Sequence, residues 1–127
     1  MTDRVADAIN KIKTNERIGR PECVLDSTKL IRAVLDVMKR SLYIQDYQEF
    51  TEGKFKKIKV TLANRINNMG VIKPRFAVTS KEIPNFETRY IPSRDFGILI
   101  LTTPQGLMTN REAKEKNTGG RLLAYVY

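Results

Sequence analysis

The side chains best suited to chemistry in this chain sit together near its C-terminal end: Thr102, Thr103, Pro104, Gln105 and Gly106. Two hydroxyls and a carboxamide supply both donors and acceptors, and Gly106 lets another backbone or a base come close. Such a stretch could cradle a phosphate on its main-chain amides. It could equally read the 2′-hydroxyls, phosphates and base edges of a folded RNA. Pro104 removes one amide and no lysine follows Gly106, so a nucleotide pocket is the poorer fit.

Catalytic chemistry is thin elsewhere. The chain has no histidine, which removes imidazole acid–base catalysis. With one cysteine it cannot assemble a zinc site of the usual kind or an internal disulfide. Cys23 has no activating neighbour and is expected to fill the core. Asp and Glu are scattered, and the glycine-rich nucleotide motifs and the G-x-S-x-G elbow are missing. No enzyme activity, cofactor, metal or small-molecule substrate is expected.

Charge points to the partner. Among 127 residues, 23 Lys and Arg face 14 Asp and Glu, a net charge of +9 and an isoelectric point near 9.9. A domain this basic calls for a polyanion. From Glu52 to Glu82 no acid intervenes, while Lys54, Lys56, Lys57, Lys59, Arg65, Lys73, Arg75 and Lys81 all do. Their field would draw a phosphate backbone. Lys13 and Arg17, one helical turn apart, read first as a solvated face and are kept as further RNA-contact candidates. No aromatic stacking motif and no major-groove recognition helix stands out, so structured RNA is the expected ligand.

Periodicity supplies the elements that hold these residues. Val5, Ala8, Ile9 and Ile12 make one helical stripe, capped by Thr2 or Asp3 and ended by Gly19 and Pro21. Glu22–Asp26 is a short strand. A second helix, capped by Asp26 or Ser27, carries Leu30, Ile31, Val34, Leu35, Val37 and Met38. Tyr43–Phe50 and Phe55–Leu62 form a hairpin, the second strand alternating Ile58, Val60 and Leu62 with Lys57, Lys59 and Thr61. Ala63–Lys73 reads as a linker between two subdomains, 1–66 and 67–127. Beyond it lie a strand at Arg75–Thr79, a helix from Ser80 to about Arg89, and apolar strands at Gly97–Leu101 and Leu122–Tyr127. Between those strands, Thr109-x-x-Glu112 is a capping box for a helix that stops at Gly119-Gly120. The class is α+β, ordered α-β-α-β-β then β-α-β-loop-α-β. No apolar run is long enough to span a membrane, and Met1–Lys13 has no signal-peptide core, so a cytoplasmic protein is expected.

Four stretches together resemble small-subunit ribosomal protein S8 in its archaeal and eukaryotic form: Asp3–Lys13, Met69–Phe76, Ile91–Gly97 and Phe96–Tyr127. The resemblance spans essentially the whole chain. It implies a two-part α+β protein that binds the central domain of small-subunit ribosomal RNA early in assembly, among neighbouring ribosomal proteins. It also implies that a loop of pattern Ser/Thr-Thr-Ser-x-Gly enters the RNA minor groove, falling here on Thr102, Thr103, Pro104, Gln105 and Gly106. Pro104 departs from the pattern, because the usual serine contacts an unpaired base. Arg121 stands where the bacterial branch has a glutamate, and the N-terminal RNA contacts fall near Asp3, Lys13 and Thr14. The alternative is an architectural RNA- or DNA-binding domain outside the ribosome.

Overall fold

The computed structural model describes residues 4–73, 75–93 and 96–127. The Thr2 and Asp3 expectations therefore lie outside the described residues. The backbone divides into two compact units at Asn67–Asn68.

The first unit is a three-stranded antiparallel sheet carrying two helices. The elements are α1 (Arg4–Arg17), β1 (Glu22–Asp26), α2 (Lys29–Arg40), β2 (Ile44–Glu52) and β3 (Phe55–Leu62), with sheet order β1-β3-β2. Val5, Ala8, Ile9 and Ile12 of α1 are buried. So are Ile31, Val34, Leu35, Val37 and Met38 of α2. They meet Cys23, Leu25, Ile58, Val60 and Leu62 on the inner face of the sheet. Burying such aliphatic side chains stabilises by about 2 kcal/mol each, before chain entropy is set against it. The cap of α2 is Thr28, whose Oγ1 accepts from Ile31 N–H at 3.1 Å, not Asp26 or Ser27. Asp26 ends β1, and the Ser27 hydroxyl donates to Glu49 instead. After α2 the chain turns through Leu42, a leucine at φ +66°. There Tyr43 N–H reaches back to Met38 O at 2.9 Å.

The second unit has the elements β4 (Met69–Val71), β5 (Ala77–Val78), α3 (Ile83–Tyr90), β6 (Ile98–Thr103), β7 (Gly106–Thr109), α4 (Asn110–Glu115) and β8 (Gly120–Val126). β8 is central: it pairs antiparallel with β4, β5 and β6, and β6 pairs with β7. Leu99, Leu101, Met108 and Leu122 from the sheet enclose a core with Ile83 of α3 and Ala113 of α4.

Three local expectations are corrected here. Met69–Val71, read as linker, pairs with Ala124–Val126 as β4, because Gly70 gives room to Tyr125. A Cβ on Gly70 would lie 2.8 Å from the Tyr125 hydroxyl. Ser80 does not cap α3. That helix starts at Ile83, and the Glu82 carboxylate accepts from Thr79 N–H and hydroxyl at 3.1 and 3.0 Å. Gly119-Gly120 does not stop α4, which ends at Glu115 and turns on Asn117 at φ +50°. The glycines belong to the sheet instead. A Cβ on Gly119 would meet Val78 O at 2.4 Å, and one on Gly120 would meet Thr102 O at 2.1 Å.

The capping box at the head of α4 forms in full. Thr109 Oγ1 accepts from Glu112 N–H, and the Glu112 carboxylate accepts from Thr109 N–H, both at 3.2 Å. Below it lies a buried polar cluster. Asn110 accepts from Leu99 N–H at 3.1 Å and donates to the Glu87 carboxylate. Lys114 donates to both Glu87 oxygens at 2.9 Å. The cluster ties α3 and α4 to β6.

Candidate nucleic-acid interface

Thr102 to Gly106 is a tight hairpin end. Thr103 pairs with Gly106 across β6 and β7, leaving Pro104 and Gln105 as the exposed two-residue turn. Pro104 suits the first turn position because its ring fixes φ near −65°. The Thr103 hydroxyl is engaged inside the turn: it donates to Gly106 O at 2.8 Å and accepts from Gln105 N–H at 3.1 Å. The half-buried Thr102 stands one residue back, opposite Arg121 of β8. Arg121 is exposed, pairs across its other side with Ala77, and has no ion-pair partner among the described residues.

These residues share one concavity of about 450 Å³, lined by Ala77, Val78, Thr102, Thr103, Pro104, Gly119, Gly120 and Arg121. Its floor exists because β5, β8 and β6 approach closer than any side chain at Gly119 or Gly120 would permit. Gln105 and Gly106 extend the same turn. The concavity thus joins the contiguous Thr102, Thr103 and Pro104 to Arg121, which comes from a different strand. Its lining also includes Ala77, Val78, Gly119 and Gly120, which pattern reading did not select. The Gly-Gly pair was the available signal, since adjacent glycines mark close backbone approach as well as helix ends. Lys73 and Arg75, both exposed, lie in the second unit between β4 and β5.

The remaining candidates belong to the first unit. Thr14 and Arg17 are exposed and Lys13 half-buried on α1, and Arg65 is exposed just beyond β3. Lys57 and Lys59 project from the outer face of β3, but each has an acid beside it. Lys57 Nζ lies 2.5 Å from Asp26, which raises its pKa, and Lys59 Nζ lies 2.8 Å from Glu22. Both acids come from β1, so an interval without acids in sequence is matched with acids across the sheet. Cys23 is buried, and burial pushes its thiol up to about 11, an inert core group as expected.

The ribosomal protein S8 family matches residues 3–127. The chain belongs to that family. It is similar to two proteins named small ribosomal subunit protein uS8. One, from Thermoplasma volcanium, is 48% identical over 126 residues, covering 98% of each chain. The other, from Thermoplasma acidophilum, is 47% identical with the same coverage. As an S8 family member the chain is a structural constituent of the ribosome and not an enzyme. The α+β fold expected from sequence is the fold observed. In this S8 chain the hairpin, the Gly-Gly floor and Arg121 form one surface of hydroxyls, amide and cation, a composition suited to a folded polynucleotide.

Proposed function

We propose that this S8 family protein binds the central domain of small-subunit ribosomal RNA directly and helps the subunit assemble, its reading surface being the concavity between the Thr102–Gly106 hairpin and Arg121. Its place is the cytoplasmic small ribosomal subunit, alongside other small-subunit proteins. The observation that carries the proposal is the convergence of Thr102, Thr103, Pro104 and Arg121 on one surface of the second unit. Arg121 and Arg75 supply phosphate contacts. Thr102 has a hydroxyl to offer a sugar or base edge. Thr103 shapes the turn that presents Pro104 and Gln105. Pro104 has no hydroxyl, so its ring meets the RNA by van der Waals contact where a serine would hydrogen-bond. Lys13, Thr14, Arg17 and Arg65 add attachment from the first unit, and Asp3 completes the N-terminal set.

The test is binding of the purified protein to small-subunit ribosomal RNA and to random duplex RNA across a salt series. Preference for the ribosomal RNA by about a thousandfold or more is expected, with affinity falling steeply as salt rises. Equal binding to both RNAs would sink the proposal. Footprinting on naked ribosomal RNA should then place protection in the central domain.

A further inference from the structure

The inner face of the β1-β3-β2 sheet is buried under α1 and α2, and its outer face is open. The register fixes what the outer face carries. Phe50 stands opposite Lys57, Lys57 opposite Asp26, Lys59 opposite Val24 and Phe55 opposite Glu52, and residues paired in this way share a face. Phe55 is 69% exposed, Val24 44% and Phe50 37%. One exposed apolar residue is ordinary. Here three lie on one face of adjacent strands, with Phe50 and Phe55 as diagonal neighbours about 7 Å apart. The stem of half-buried Lys57 bridges them toward Val24. Grouped apolar exposure of this kind marks a contact surface.

This face is not basic, although the chain carries +9. Its cations, Lys57 and Lys59, are held by acids of β1 at 2.5 and 2.8 Å. Asp46 and Glu52 of β2 add two more carboxylates, the first met by Lys39 of α2. A nucleic-acid strand needs a positive groove, and these paired lysines do not make one. A second copy of the chain would set carboxylates against carboxylates. Arginine fits better, because a guanidinium stacks on a phenyl ring while donating to a carboxylate beside it. Phe55 and Glu52 form such a pair across the strands. The ring already meets a cation, Lys57 Nζ at 5.9 Å from its centroid, and the residue is still largely exposed. Three strands are about 10 Å across, and Asp46 to Glu52 run about 20 Å. That is the footprint of one helix of about four turns.

We propose that the outer face of this sheet docks an amphipathic helix of another small-subunit protein. The apolar stripe of that helix lies on Val24, Phe50 and Phe55, and a flanking arginine lies on Phe55 and Glu52. One helix covers less than the about 800 Å² per partner of a stable pair, so the contact is weak alone and holds within the assembled subunit. It rests on the chain being a small-subunit constituent and not on the RNA surface of the second unit, so either reading can fail alone.

The test is photo-crosslinking in assembled small subunits. Full chains with benzoylphenylalanine in place of Phe55, or in place of Gln105 in the hairpin, are assembled into subunits and irradiated. From position 55 the expected product is a segment of another small-subunit protein, with arginine or lysine flanking an apolar stripe. From position 105 the expected product is RNA, and its absence would count against the RNA surface while leaving the docking face standing. Glu52→Lys should lower the yield from position 55 by about threefold, the scale of one exposed ion pair. An RNA neighbour would instead raise it. Phe50→Ser should lower the yield as well, with far-ultraviolet circular dichroism unchanged. Crosslinks from position 55 to RNA, to a second copy of this chain, to a segment without basic residues or to nothing would overturn the proposal. So would a yield that Glu52→Lys raises, or that neither substitution moves.

Discussion

Single residues divide here between those that present chemistry and those that hold its frame. Thr102 and Thr103 are neighbours of one type with different duties. Thr103 spends its hydroxyl on Gly106 O and Gln105 N–H, so Thr103→Val should loosen the turn, costing about 1 kcal/mol in stability as well as RNA affinity. Thr102→Val should leave thermal unfolding unchanged and weaken specific RNA binding several-fold, a loss of about 1 kcal/mol. If both substitutions shift melting and affinity alike, the division of labour is wrong. Glu16 makes a prediction of opposite character. Its folded pKa is raised above the ordinary 4.5 by burial, so the folded state holds a proton that the unfolded state releases, and stability falls as pH rises through that window. Glu16→Gln should therefore melt higher than the parent at pH 7. The difference should close as pH drops below about 4.5, where both states carry the proton. An equal gap at pH 4 and pH 7, followed by thermal melts, would contradict this assignment of cause.

At the level of elements, α2 shows a cost that has been left in place. Leu42 occupies the left-handed position after the helix, where glycine is preferred, with its side chain 65% exposed. Leu42→Gly should stabilise the protein by up to about 1 kcal/mol, relief of left-handed strain outweighing the extra chain entropy of glycine. A fall in urea midpoint would show that the leucine side chain contributes more than its backbone costs. Elements with clean periodicity were legible in the sequence. The α1 stripe, the alternation of Ile58, Val60 and Leu62, and the Thr109–Glu112 capping box all appear as expected. Shorter elements were not. β4 is three residues long and is made by pairing with β8, a partner more than fifty residues away, so no local signal announces it. Glu16 followed the helical period and could have been found by extending the α1 stripe one turn, but a charged residue does not register in an apolar pattern. At the interface, the turn and Arg121 could be picked by type. Their meeting on one concavity could not, because it depends on the order of strands around β8.

For the whole molecule, formal charge overstates what a polyanion meets. Lys57 and Lys59 are matched by Asp26 and Glu22, and Lys39 by Asp46 at 2.9 Å. Exposed pairs of this kind add little to stability, but they quench the local field of the sheet. Arg75→Ala with Arg121→Ala should thus lower the salt slope of RNA binding by about 2. Lys57→Ala with Lys59→Ala should lower it by less, since those charges are already balanced. Slopes measured by filter binding that reverse this order would move the interface to the first unit.

The aromatic side chains of the second unit have a use of their own. Tyr125 stacks between Tyr90 at 5.8 Å and Tyr127 at 6.2 Å, and Phe96 sits 6.5 Å from Tyr127. Tyr43 and Tyr47 belong to the first unit, and the chain contains no tryptophan. Stacked rings held in one chiral array couple optically, so near-ultraviolet circular dichroism of the free protein should be dominated by the second unit. The S8 chain therefore carries a built-in spectroscopic label: loss of that signal would time the unravelling of the second unit within the far-ultraviolet change, to which helices of both units contribute.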